Sequence, residues 1–228
     1  MKQELKIENR PVLGKGIYTI PDIAMLLGIP TTKARRWISE FWDDRLGKEY
    51  QSQYSWNIDF NRAVNFHTLI EIYTFYHLSK SAISPAQLLE AHKILSKRYK
   101  TPYPFASKHI IERVKVVGKK VVFDDGDVVF TLDKKLQLHF TFIRQFFEKL
   151  DFGKDDLAVR FWPLGRKHEI VCDPQRQFGQ PVINGTNILA ETVKRLYDGG
   201  DSKELIARIY DISPKQVDDA ITYGSKAA

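Results

Sequence analysis

Cysteine is nearly absent from this chain. Cys172 is its only one, which excludes an internal disulfide framework and any zinc site built on paired cysteines. No stretch approaches the ~20 consecutive apolar residues of a membrane span. The opening MKQELKIENRPVL lacks the apolar core of a secretory signal, so a cytoplasmic protein with no membrane partner is expected. The histidines (His67, His77, His92, His109, His139 and His168) form no H-E-x-x-H pattern. Gly179, Gly185, Gly199 and Gly200 sit at loop and cap positions without the strand-to-helix spacing of a phosphate-cradling loop. Asp124, Asp125 and Asp127 surround Gly126, a combination better suited to a tight turn than to a metal loop. Cys172 reads as a strand residue packed in a core. Together these absences predict no enzyme, no catalytic residue, no metal and no cofactor.

Positive charge, by contrast, is abundant and uneven. The chain has 35 Lys+Arg against 28 Asp+Glu in 228 residues, a net charge of +7 and a pI near 9.3. Residues 1–118 hold 18 of the cations and 11 of the anions, whereas residues 119–228 hold 17 of each. The whole excess lies in the N-terminal half, as an electrostatic footprint for a polyanion would. A balanced C-terminal half suits protein contacts instead.

Residues 20–38, IPDIAMLLGIPTTKARRWI, carry the most specific pattern in that basic half. Ala24 is small where two helices must touch, and Gly28 follows four residues later, where φ can turn positive. Ile29 supplies an apolar plug, and Ala34, Trp37 and Ile38 recur at helical spacing. This predicts a helix-turn-helix with Thr31, Thr32, Lys33, Arg35 and Arg36 on the free face of its second helix. Such side chains suit phosphates and base edges, although an ordinary helical hairpin shares the apolar spacing. Thr19 and Asp22 form a capping-box pair at the start of the first helix, and Phe41 extends the apolar face of the second. Residues 43–61 show no helical period and read as a wing or a surface loop, from which Lys48, Tyr50, Gln51 and Gln53 could reach a DNA backbone.

Phe66, Leu69, Ile70, Tyr73 and Tyr76 then recur at helical spacing. Ser84-Pro85 opens another helix with Leu88, His92, Leu95 and Tyr99 on one face, and Thr101-Pro102 stops it. Its basic residues Lys93, Lys97, Arg98 and Lys100 fit either phosphates or a solvated face. Around Asp125-Gly126 two β-rich runs predict a hairpin. Leu136, Phe140, Ile143, Phe147 and Leu150 step by four and three, a helical stripe widened by Phe142 and Phe146. It reads as core or as a dimer seam. Short strands are expected near residues 158–162 and 170–172, ended by Pro163 and by Asp173-Pro174.

From residue 169 the chain reads EIVCDPQRQFGQPVINGTNILAETVKRLYDGGDSKELIARIYDISPKQVDDAITY. Asp173, Pro174, Gly179, Pro181, Val182, Gly185, Thr186, Gly200, Asp201, Ser202, Ile206, Tyr210, Val217, Ala220 and Tyr223 resemble the motif of the bacterial domain-of-unknown-function family 433. The resemblance spans residues 169–223, and Asn187 departs from it where the family usually carries arginine. More loosely, Tyr18, Asp22, Ile23, Ala24, Leu27, Gly28, Arg35, Arg36 and Trp37 resemble the MerR-type helix-turn-helix. The combination is similar to the longer VapB-type antitoxins. That resemblance implies operator DNA and a PIN-like ribonuclease toxin as partners, with autoregulation of the operon.

The chain also resembles itself. Aligning Ile20 with Lys203 places Ala24 on Ala207, Gly28 on Asp211, Ile29 on Ile212, Ala34 on Val217 and Trp37 on Ala220. A second helix-turn-helix is therefore expected, presenting Ser213, Lys215, Gln216, Asp218 and Asp219. Two adjacent carboxylates would repel phosphates, so this copy is read as a protein-contact or dimerisation surface, or simply as a compact helical domain.

The sequence thus predicts a mainly α protein with minor β. A MerR-like winged helix-turn-helix domain occupies residues 1–112, a β-hairpin and apolar helix residues 113–165, and a three-helix domain residues 166–228. The expected function is that of a homodimeric antitoxin binding double-stranded operator DNA and a cognate toxin. The alternatives are a ligand-responsive MerR-type regulator without a toxin, and an adaptor using both helical units for protein contacts.

Overall fold

The computed structural model describes residues 10–51, 53–58, 61–79, 84–112, 114–117, 120–123, 128–131 and 147–227. Helices dominate, and the strands form three small antiparallel sheets. No helix among the described residues is long and apolar enough to cross a membrane.

Strand β1 (Tyr18–Thr19) leads directly into α1 (Ile20–Leu27). Thr19 caps α1, and its side chain and that of Asp22 satisfy one another's backbone N–H groups in the expected capping box. Gly28 ends the helix at φ 63°. Next, α2 (Thr31–Trp37) runs without a break into a π-helical stretch (Ile38–Leu46) and a last helical turn, α3 (Gly47–Tyr50). The helix therefore reaches well into the segment whose sequence shows no helical period. Ile38, Phe41, Trp42 and Leu46 are buried along it, a spacing of three, one and four that no straight 3.6-residue stripe would reveal. Strands β2 (Ser55–Ile58) and β3 (Asn61–Val64) follow as a hairpin, and β1 joins β3 to complete the sheet.

Helices α4 (Phe66–Ser79) and α5 (Pro85–Tyr99) close the N-terminal core. The Ser84–Gln87 capping box starts α5, and Lys100 in the left-handed region ends it before the prolines are reached. Phe75 of α4 meets Trp37 and Trp42 edge-on, with ring centroids 5.0 and 5.1 Å apart. Burying side chains of this size stabilises by about 1.5–3 kcal/mol each. A single turn, Pro104–Ala106, and α6 (Lys108–Glu112) lead to a three-stranded meander of β4 (Val114–Val117), β5 (Lys120–Phe123) and β6 (Val128–Thr131). The hairpin expected around Asp125-Gly126 is the β5–β6 pair, whose turn residues lie outside the described ones, and β4 extends it.

The remaining strands form one sheet in the order β10–β9–β8–β7: β7 (Leu150–Phe152), β8 (Ala158–Phe161), β9 (Ile170–Cys172) and β10 (Pro181–Ile183). It crosses residue 165, where the sequence suggests a boundary, so β7 and β8 belong with the C-terminal unit. Leu150 opens a strand instead of ending the apolar helix. Helices α7 (Ala190–Asp198), α8 (Lys203–Tyr210) and α9 (Pro214–Ala227) complete the chain.

Candidate nucleic-acid interface and its C-terminal counterpart

The helix-turn-helix is built by backbone bonds at one residue. Both Gly28 N–H and Ile29 N–H donate to the Ala24 carbonyl, the latter at 3.2 Å. This closes α1 and turns the chain so that Ile29, Ala34 and Trp37 bury against it. Thr31, Thr32, Arg35 and Arg36 remain exposed on the opposite face. Among the described residues Arg35 has no ion-pair partner, while Arg36 lies 3.9 Å from Glu40. Lys33 is drawn inward: its ammonium stands over the Trp37 and Tyr76 rings, 5.5 and 5.3 Å from their centroids. It lends that edge positive charge with its stem packed.

The flanking candidates divide. Lys48 is exposed and paired with Asp44 across one turn. Gln51 adopts the left-handed conformation that ends α3, and Gln53 is exposed. Tyr50 faces the other way and corrects the expectation placed on it. Its ring packs on the core edge-on to Tyr54, and burial of its hydroxyl raises the phenol to about 12, so it is a packing residue rather than a DNA contact. A network the sequence does not signal holds the β2–β3 hairpin to the π-helical stretch that continues α2. The Asp43 carboxylate accepts from Tyr54 N–H at 2.9 Å, Ser55 N–H at 3.0 Å and the Ser55 hydroxyl at 2.5 Å. Arg62 on β3 reaches Asp43 at 3.4 Å and donates to the Ser39 hydroxyl at 2.6 Å.

The C-terminal unit repeats the construction. Asp211 takes the place of Gly28 at φ 51°, and both its N–H and that of Ile212 donate to the Ala207 carbonyl, the latter at 3.0 Å. Ile212, Val217 and Ala220 are buried like their N-terminal counterparts. Ser213 and Gln216 cap α9 reciprocally. The outer face, however, differs from expectation. Asp218 is exposed and pairs with Lys203 at 2.6 Å, but Asp219 is buried. Its carboxylate accepts from Glu169 N–H at 2.9 Å and Lys215 Nζ at 2.7 Å, and lies 2.6 Å from His168 Nδ1. Burial opposes its ionisation, yet the bonds from Lys215, His168 and Glu169 outweigh that and hold the carboxyl below the usual range. Asp219 anchors α9 to the start of β9, and Lys215, which also donates to the Lys167 carbonyl at 2.9 Å, serves the same joint. Asp219 is therefore not a free contact residue, whereas Lys215, though paired, remains exposed.

Of the apolar stripe expected as a dimer seam, Leu136, Phe140 and Ile143 lie outside the described residues. Phe147 is buried in the core and stacks on Phe152 with centroids 5.5 Å apart, so it is an internal packing residue.

The two units share a joint. Ile17 N–H donates to the Phe178 carbonyl at 2.7 Å, the Tyr18 hydroxyl to the Gly179 carbonyl at 2.9 Å, and Gln180 Nε2 to the Ile17 carbonyl at 3.2 Å. Gln177, Phe178 and Gly179 all have positive φ, at 45°, 55° and 87°, which aims these carbonyls at the N-terminal unit. Beside the joint a cleft of about 480 Å³ is lined by Lys15, His67, Asp155, Arg160 and Asp173, among others.

Chemically versatile side chains are engaged elsewhere. Burial lowers His67 to about 4, against a bond from its Nε2 to the Ala158 carbonyl at 3.0 Å, and burial pushes the Cys172 thiol up. His92, which the sequence places on an apolar helical face, is wholly buried 2.7 Å from a wholly buried Glu71. The second Glu71 oxygen accepts from Phe105 N–H at 2.6 Å.

The model of the family described as "Protein of unknown function (DUF433)" matches residues 170–224, the span from β9 through most of α9. Over 99% of its length the chain is 25% identical to "Uncharacterized protein Rv2308" of Mycobacterium tuberculosis, covering 96% of that protein. It is 28% identical over 81 residues to "Putative antitoxin VapB45" of the same organism, a match covering 35% of this chain and 34% of that protein. The crystal structure of Rv2018 from Mycobacterium tuberculosis has the same fold, with a TM-score of 0.63 at 18% identity over 94% of this chain and all of that one.

Proposed function

We propose that this chain is a DNA-binding antitoxin that represses its own operon and neutralises a PIN-like ribonuclease toxin. The exposed face of α2 carries this reading. Thr31, Thr32, Arg35 and Arg36 stand outward on the second helix of a helix-turn-helix, in the half of the chain that holds the entire net charge of +7. The opposite face is fixed in the core by Ala34 and Trp37, so α2 is a rigid platform for the major groove. Its likeness to MerR-type readers belongs to this proposal, as do the wing formed by β2–β3 and the toxin partner, which the partial similarity to the VapB45 antitoxin supports. The buried, hydrogen-bonded state of His67 and of the Glu71–His92 pair, and the buried Cys172 thiol, favour a binding protein over an enzyme.

Two measurements test it. Replacing both Arg35 and Arg36 by Ala should lower affinity for the chain's own promoter DNA by about 1–3 kcal/mol for each arginine that reads a base. Lys33→Ala should weaken all sequences more evenly. An unchanged gel shift for the double variant would refute the DNA assignment. Co-expression with an adjacent PIN-like reading frame should relieve that frame's toxicity. A second reading, a ligand-responsive regulator without a toxin, draws on the cleft beside the joint. It predicts operator binding that a small molecule shifts, with no neighbouring toxin to neutralise.

A further inference from the structure

Helix α8 carries an apolar pair that the protein does not cover. Leu205 and Ile209, one turn apart, are 41% and 60% exposed. The internal repeat shows how unusual this is, because the counterpart of Ile209 in the first motif is Leu26, which is 9% exposed. The same helix position is thus sealed in one copy and open in the other. Glu204 and Arg208 flank the pair, are both exposed, and form no ion pair among the described residues.

We propose that this stripe of α8 is the seam on which two copies of the chain pair, helix against antiparallel helix about a two-fold axis. The inference rests on the DNA-binding reading only in its purpose, which is to place two α2 helices on one operator. The pattern itself is self-complementary. With the axis at the level of residue 207, Leu205 of one copy meets Ile209 of the other, and the reverse contact follows by symmetry. Glu204 and Arg208 lie on one flank of the stripe, since residues four apart share a helix face. The two-fold axis keeps that flank together in both copies, so each glutamate falls beside the arginine of the other copy. A toxin surface would require no such internal matching of charge and shape. The joint at Tyr18 and Gly179 then gives the seam its consequence, because it ties the C-terminal unit to β1 and the start of α1.

Light scattering and sedimentation on the full chain test this without DNA or toxin, so the result stands apart from the antitoxin reading. The wild type should be a dimer. Ile209→Glu should raise its dissociation constant at least ~10-fold, as loss of a central apolar anchor does, with an unchanged helical circular dichroism spectrum. Glu204→Arg and Arg208→Glu should each weaken self-association through like charges facing one another. Mixing those two variants should restore a dimer, because each then faces its complement. A monomeric wild type, or a dimer indifferent to all three substitutions, overturns the proposal. So does a mixture that fails to re-associate after both single variants have dissociated.

Discussion

Asp219 shows how one side chain can invert a reading made from charge. Beside Asp218 it looks like half of an acidic surface, yet the two side chains leave α9 in different directions. Asp218 faces solvent and Lys203, whereas Asp219 binds Glu169 N–H, Lys215 and His168. Adjacent residues on a helix lie about 100° apart, so a pair of neighbouring carboxylates need not share an environment. Asp219→Ala leaves the partly buried Glu169 N–H without its acceptor and should cost about 1–3 kcal/mol in urea unfolding. Asp218→Ala removes one exposed pair and should stay within about 0.5 kcal/mol of the wild type. Equal effects from the two substitutions would contradict this division. His67 makes a different prediction at the same scale. Unfolded, it takes up a proton near pH 6.5. Folded, it resists until about pH 4, chiefly because it is buried and secondarily because Lys15 is near. The unfolded state therefore binds more protons between those values, and stability falls as pH is lowered through the window, by at most about 3 kcal/mol. Above pH 6.5 the contribution is fully present. His67→Gln should remove that share of the pH dependence, measured as the difference between variant and wild type in unfolding free energy at pH 7 and pH 5.

The two helix-turn-helix elements hold the same turn with different residues, which makes them an internal experiment. A side chain at Gly28 would meet nothing within 4 Å, so Gly28→Ala isolates the backbone cost of a left-handed residue, about 1–2 kcal/mol. Asp211 already bears such a cost at φ 51°. Asp211→Gly should accordingly stabilise the protein by up to about 1 kcal/mol, read as a higher thermal midpoint. The opposite signs of these two substitutions are the prediction, and a loss in both would refute it. This element is legible in the sequence because its signals are local: a capping residue, a small residue at the helix contact, a turn residue four positions later. The start of α5 at Ser84-Pro85 and the strands β8 and β9 are legible on the same grounds. The continuation of α2 through Leu46 is not, because a π-helical wind does not repeat every 3.6 residues. Tyr50 is misread for the same reason, since without the helix its inward direction is invisible. Strands β1, β7 and β10 span two or three residues, too short to show alternation, and their pairing depends on distant partners. The bond between Glu71 and His92, 21 residues apart, likewise exists only once α4 and α5 have packed.

At the scale of the whole chain, the joint decides whether the two halves behave as one body. Its parts come from positions 161 residues apart, and nothing in either segment alone announces the other. A Cβ on Gly179 would lie 2.1 Å from the Tyr18 hydroxyl and 2.7 Å from the ring carbon that bears it. Tyr18 is wholly buried and has no room to retreat, and φ at Gly179 is 87°. Gly179→Ala should therefore separate the units or unfold them. Tyr18→Phe removes the bond and leaves the Gly179 carbonyl without that donor, a cost of about 1–3 kcal/mol. Combining the two should cost less than their sum, because phenylalanine also removes the shorter of the two clashes; residues in direct contact couple in this way. The tryptophans give the readout. Trp37, Trp42 and Trp56 lie in the N-terminal unit and Trp162 follows β8 in the C-terminal sheet, so variants that keep Trp162 alone report that half. In an otherwise wild-type background both halves should unfold in one coincident urea transition, and Gly179→Ala should split it. Two separate transitions before any change at the joint would show that the halves are independent. The position of α2 would then no longer be coupled to the C-terminal seam through Tyr18.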